Sequence, residues 1–381
     1  MCVVKNLFLY VLVGSVLVAI GYVVGGLGWF KTGSKLSFPD ILVVDPTPIP
    51  KPLQKYGLAE LQQYPFETSK IQVTEKVADK EDYSEYLFSY TTVGKTMSGL
   101  LTLPQPLPED LNNLPTLIMV RGYVPPESYA SGVGTSPAAR YFAKQGFITL
   151  APDFFGFGTS DPEPADEWEA RFIKPIAIVE LIKSLQSKGI TGEVMHLPAI
   201  KNIGIWAHSN GGQIALSALE IMDESIPTTL WAPVTAPFPY SVLFYGDEVA
   251  DEGKSQRAWI AMFEKVYNAT DFSLTQHLNQ LSGPLQIHHG TIDEAALKSW
   301  SDEFTAKLDT ENERRTSQLK QLLTATQSAE LDPKLSTTSA SLKPIKYQYF
   351  IYPGADHNLR PVENWNLAVS RDLTFFQREL Q

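Results

Sequence analysis

Cysteine is almost missing from this chain: the one residue among 381, Cys2, precedes everything that could fold. The globular part therefore has no disulfide framework and no cysteine nucleophile. The compartment stays open, because exported enzymes can also lack cysteine. Basic stripes are missing too. The net charge is −11 and no lysine- or arginine-rich run occurs, which argues against nucleic acid as a partner. No internal repeat is evident. What is present is hydrophobic: 44% of residues against 19% charged, enough to bury one large core or two ordinary ones.

Residues 7–30 form one uncharged run, rich in Val, Leu, Gly and aromatics. At ~1.5 Å per residue it would span a hydrocarbon core of ~30 Å. A cleaved signal peptide is the competing reading, but its apolar part is shorter, roughly 7–15 residues, and ends at a small-residue cleavage site. Tyr22, Trp29 and Phe30 sit toward the end of the run, as interfacial anchors do. The expectation is a single-pass membrane anchor over residues 1–35, with the globular part outside the cytoplasm. Residues 36–69 are proline-rich around Pro46, Pro48, Pro50 and Pro52 and predict a semi-rigid extended spacer.

Residues 70–381 then read as one domain. Residues 71–77, 83–92 and 96–103 suggest an antiparallel edge. Short, almost wholly apolar runs follow at 116–120, 147–151, 202–206, 228–232, 285–288 and 347–352, as buried parallel strands look. Helical patterns fall between them, at 138–144, 173–188, 213–223, 258–267, 297–326 and 364–379. Strand–helix alternation predicts an α/β fold: a mostly parallel, doubly wound sheet of about eight strands. Residues 232–283 are too long for a simple connection and predict a helical insertion near the site.

The run Ala207-His208-Ser209-Asn210-Gly211-Gly212 follows a strand and precedes a helix. That is the setting of a nucleophile elbow, with Ala207 where a glycine is usual. A serine hydroxyl needs a base, and the base needs an orienting carboxylate. Two later strand ends supply them: Asp293 after 285–288 and His357 after 347–352. The order Ser209, Asp293, His357 is that of an αβ-hydrolase triad. Asp356 is a rival acid; its expected role is to shape its own loop. His288 and His289 end a strand and could line the site, and His208 should point away from Ser209. Oxyanion donors are expected from the backbone N–H groups of Asn210 and of Tyr123, which follows Gly122. For substrate binding, Tyr240, Phe244 and Tyr245 of the insertion are candidates, with core packing as the other reading. Arg121 either binds a substrate carboxylate or makes a structural ion pair. No metal or cofactor is expected.

The segment Ala151-Pro152-Asp153-Phe154-Phe155-Gly156-Phe157-Gly158-Thr159-Ser160-Asp161, with 205–212, 289–293 and 354–357, resembles the catalytic domain of the prolyl oligopeptidase (S9) family of α/β hydrolases. Dienelactone-hydrolase-like enzymes share much of this pattern. The resemblance covers about residues 70–381. It implies first a serine peptidase of the prolyl oligopeptidase type and, as the alternative, a carboxylesterase, either with the triad Ser209, Asp293 and His357 and acting on a small peptide or acyl ester. It also implies that the Pro-Asp-x-x-Gly-x-Gly segment is a structural loop. The chain departs from the family at Ala207. It also has no propeller repeats of 40–50 residues ahead of the catalytic part.

Overall fold

In Thr116–Val120, successive side chains face opposite sides of a sheet, yet all five are buried. Leu117 and Met119 enter one hydrophobic cluster, Ile118 and Val120 the other. A strand apolar on both faces needs helices on both, and that governs the architecture. The structure is a computed structural model that describes residues 50–108, 111–192, 195–222, 224–246, 250–326 and 342–380. The expected anchor lies outside these residues. Among them no helix is long and apolar enough to cross a membrane.

Eleven strands among the described residues form one sheet. They are β1 (Ile71–Asp79), β2 (Tyr83–Thr92), β3 (Lys95–Pro104), β4 (Thr116–Val120), β5 (Ile148–Pro152), β6 (Ile190–Thr191), β7 (His196–Leu197), β8 (Ile203–His208), β9 (Thr228–Trp231), β10 (Leu285–Gly290) and β11 (Tyr347–Tyr352). The order is β11-β10-β9-β8-β4-β5-β3-β2-β1-β6-β7. From β11 to β5 every pairing is parallel, and β3, β2 and β1 continue antiparallel. The two-residue strands β6 and β7 are too short to show any alternation in sequence.

The helices are α1 (Leu58–Leu61), α2 (Ser136–Ala143), α3 (Glu167–Lys188), α4 (Asn210–Met222), α5 (Tyr240–Leu243), α6 (Lys254–Glu264), α7 (Lys298–Thr326) and α8 (Val362–Glu379). Helices α3 and α4 cover the Ile118 face, α2 and α8 the Leu117 face. Helix α3 starts a turn and a half before the expected 173, because Asp166 caps it by accepting the Glu169 N–H at 2.8 Å. The insertion is helical, but α6 begins and ends earlier than the expected 258–267. Its aromatics are mostly core. Phe238, Phe263 and Phe272 pack with Trp168 and Phe172 of α3, at ring separations of 4.6–6.0 Å for Phe263–Trp168 and Phe263–Phe172.

The crossover from β4 runs to β5 on one side, while β8 pairs with β4 on the other. Strand order therefore reverses between β4 and β8. A crevice opens beyond their carboxyl ends at such a switch point.

One expectation is corrected. Residues 53–66 do not form a free spacer. Leu53, Tyr56, Leu58 and Leu61 follow Pro52 with apolar side chains on one side of a short helical stretch, and all four are buried. The Leu53 N–H donates to Tyr267 Oη at 3.0 Å, and Tyr56 Oη donates to Glu169 Oε1 at 2.5 Å. Burial of these groups outweighs the extended tendency that the prolines impose nearby. Leu61 is 1% exposed. Leu61→Ala should lower the unfolding free energy by roughly 2–4 kcal/mol in urea titration; a spacer residue would change nothing.

Candidate active site

Strand β8 ends at His208 and α4 starts at Asn210, so a single residue makes the turn. Ser209 makes it with φ 56°, a left-handed conformation unusual for a side chain larger than hydrogen. Surrounding contacts hold it there. The Ser209 N–H donates to the Trp231 carbonyl at 2.9 Å, and its own carbonyl accepts from Val234 N–H at 3.0 Å. A Cβ on Gly211 would collide with the Val120 carbonyl oxygen, and one on Gly122 would stand 2.7 Å from Ser209 Cβ. Ala207 is fully buried between Val120 and Leu230 of the flanking strands, and its single methyl fits.

Asp293 and His357 come from the loops after β10 and β11, which are neighbouring parallel strands. His357 Nδ1 donates to Asp293 Oδ2 at 2.9 Å, with Oδ1 at 3.1 Å. The proton on Nδ1 leaves Nε2 with a lone pair, the tautomer a general base needs. Ser209 Oγ makes no hydrogen bond among the described residues; such contacts often tighten only with substrate bound. Asp293 Oδ1 also accepts the N–H groups of Ala295 and Ala296, each at 2.9 Å. Burial would push the Asp293 carboxyl up, but hydrogen bonds from His289, His357 and Ala296 outweigh it and hold it well below the usual carboxylate range.

Two histidines take parts that the sequence reading left undefined. His289 is fully buried and its Nε2–H is shared between the Ala296 carbonyl at 2.8 Å and Asp293 Oδ2 at 3.2 Å. Its Nδ1 accepts from Ser301 Oγ of α7 at 2.8 Å. Asp293 thus has a histidine on each side. His208 does not simply point away: its Nε2–H donates to the His357 carbonyl at 2.9 Å, with ring centroids 4.7 Å apart. Burial, with the nearby His357, pushes His208 from the ordinary 6.5 down to about 4. Asp356 instead accepts the N–H groups of Asn358 and Arg360, each at 2.9 Å.

Gly122 brings the chain after β4 against Ser209, and Tyr123 follows it with its side chain 76% exposed. Asn210 opens α4, where helix N–H groups have no internal partner. Arg121 has no face left for substrate. It is 6% exposed, donates to the Gly122 and Asp153 carbonyls at 2.9 and 2.6 Å, and packs on Tyr129 and Phe157. Asp153 itself accepts from Ser98, Tyr129 and Ser131, which makes this loop a structural unit.

A cavity of about 300 Å³ lies beside the elbow, reached by Asn210, Gln213, Arg171, Trp259 and, unexpectedly, Tyr56 and Leu61. None of Tyr240, Phe244 and Tyr245 lines it. Tyr240 is 66% exposed and borders another hollow with Glu264 and Asn268. Phe244 packs edge-on against Trp300 at 4.8 Å, and Tyr245 Oη donates to the Ala295 carbonyl at 2.9 Å, bracing the Asp293 loop. Arg171 was not singled out by sequence, since within its segment it reads as one more charge at a helix start. Among the described residues no group of three or more His, Cys, Asp or Glu side chains is placed to hold a metal ion.

No protein-family profile matches the chain, nor does the sequence of any curated protein. Solved structures do match. Acetyl xylan esterase 1 from Thermoanaerobacterium sp. JW/SL YS485 superposes with a TM-score of 0.53 at 13% identity, over 88% of this chain and 95% of that one. Acetyl xylan esterase from Paenibacillus sp. R4 gives 0.52 at 13%, over 88% and 96%. A puromycin-hydrolyzing peptidase of Mycobacterium tuberculosis gives 0.52 at 15%, over 80% of this chain but 39% of that one. At such identities the likeness is one of fold, and with the strand order above it identifies the α/β-hydrolase fold.

Two outcomes test this geometry. His208 is held neutral when folded and takes up a proton when unfolded, so stability should fall as pH drops from 6.5 toward 4. In His208→Gln that part of the decline should vanish from urea midpoints measured across this range. His289→Phe keeps the ring volume but removes the donor to Asp293; kcat should fall roughly tenfold with KM little changed.

Proposed function

We propose that this α/β-hydrolase-fold chain is a serine hydrolase that works through a covalent acyl-enzyme. The observation that carries the reading is the Asp293–His357 pair at 2.9 Å, formed at two strand ends beside an elbow that holds Ser209 at φ 56°. Ser209 Oγ attacks the acyl carbonyl and its proton passes to His357 Nε2. Asp293 keeps the imidazole in the required tautomer and balances its charge while protonated. The developing oxyanion is met by the N–H groups of Asn210 and Tyr123. His357 then protonates the leaving group, and a water activated by the same Nε2 releases the acid and frees Ser209.

For the bond broken, a carboxylic ester is the first reading. The two acetyl xylan esterases match this chain over nearly their whole length, whereas it spans about two fifths of the puromycin-hydrolyzing peptidase. A small peptide is the second, favoured by the S9-like segments around Asp153, Ser209 and His357. On the same reading, residues 7–30 anchor the enzyme in a membrane, and carbonate-resistant pelleting of the full chain is the expected result.

A fluorophosphonate probe should label the wild type and leave Ser209→Ala unlabelled; a folded wild type that stays unlabelled overturns the proposal. A panel of p-nitrophenyl esters against aminoacyl and prolyl p-nitroanilides separates the two readings. Esters alone should turn over, and efficient anilide cleavage would reverse the preference.

A further inference from the structure

The cavity beside the elbow carries a charge that acyl transfer from Ser209 does not use. Arg171 stands on the second turn of α3, and its Nη2 donates to Gln213 Oε1 at 2.7 Å. Gln213 is three residues along α4 from Asn210, a rise of ~4.5 Å, and both line the cavity. Arg171 Nε is buried with no hydrogen-bond partner. No carboxylate among the described residues forms an ion pair with this guanidinium. Glu163 and Glu167 reach the cavity but are exposed; Glu163 pairs with Lys174 at 3.3 Å, and Glu167, one turn before Arg171, leaves it alone. Leu58, Leu61, Ile214, Trp259 and Phe272 make much of the remaining wall apolar.

A part-buried guanidinium answered only by a neutral amide and the Phe238 ring, 5.8 Å away, is costly unless an anion completes it. Burial lowers it to about 10, so it stays charged at neutral pH. Its planar fork matches a carboxylate with two parallel hydrogen bonds. We infer that this cavity is an anion subsite, and that the substrate carries a carboxylate a few bonds from the carbonyl attacked by Ser209, as in the half-ester of a short dicarboxylic acid. Arg171 is then a specificity residue, gripping the far end of the acyl chain while Asn210 and Tyr123 hold the near end. The inference rests on the serine-hydrolase reading for its chemistry but not for its binding.

Its test compares p-nitrophenyl hemiglutarate with the neutral p-nitrophenyl valerate. The wild type should favour the anionic ester in kcat/KM by about 10- to 100-fold. In Arg171→Gln that ratio should fall to about one, and Arg171→Lys should keep part of it. Fluorophosphonate labelling of each variant reports whether the elbow is intact. Calorimetry with free glutarate and with the neutral valeramide on the unaltered protein needs no variant and no turnover; glutarate should bind and valeramide should not. An N-acyl-glutamyl p-nitroanilide tells whether the carboxylate belongs to an ester or a peptide; its cleavage with the same Arg171 dependence keeps the subsite and moves it to peptides. Labelling of Ser209 without glutarate binding and without anionic preference overturns the inference alone. Glutarate binding without labelling keeps the subsite and overturns the hydrolase reading.

Discussion

The site depends on how closely two strand ends can approach. Gly211 lets α4 start against the Val120 carbonyl, and Gly122 lets the next loop run against Ser209 Cβ. Neither contact tolerates a side chain. The backbone of one loop and Ser209 of the other thus meet closely, so on the proposed mechanism an oxyanion donor and the attacking hydroxyl share one small volume. The left-handed turn at Ser209 is the conformational cost of that approach. It persists because β4 and β8 are neighbours in the middle of the sheet, buried on both faces and unable to yield.

Electrostatics then divides the histidines. Three rings, His208, His289 and His357, surround one carboxylate and one carbonyl. Each has its tautomer fixed by an acceptor: the His357 carbonyl, the Ala296 carbonyl and Asp293. His289 has both ring nitrogens engaged, whereas His357 Nε2 makes no hydrogen bond among the described residues. His289 is held by the acid's own loop and by Ser301, and His208 by the His357 carbonyl, which on the proposed reading leaves the His357 ring for proton transfer.

Much of this was legible in the sequence, for a physical reason. Buried parallel strands are continuous apolar runs, and the residue just past each run sits at the site end of the sheet; Ser209, Asp293 and His357 stand there. Their register, however, comes from the hydrogen bonds of neighbouring strands, which no local pattern carries. His289 and His208 sit on strand ends as well, but which way a ring turns is decided by partners as remote as Ser301. Arg121 and Arg171 show the same limit. One follows an apolar strand and looked available, yet Tyr129 and Phe157 enclose it. The other lies in a mixed helix start, and its place in the cavity depends on α3 and α4 lying side by side. The docking of 53–66 is not legible because proline content is local while the groove that receives Leu58 and Leu61 is made of distant residues.

That docked stretch has a practical meaning for where the enzyme begins. Tyr56, Leu58 and Leu61 are walls of the cavity beside Ser209. The segment that links the fold to whatever precedes it is thus part of the chamber. A fragment cut at residue 70 would open one side of that chamber to water while leaving the whole sheet in place. Any shift of residues 56–61 relative to the sheet would therefore change the wall of the pocket itself.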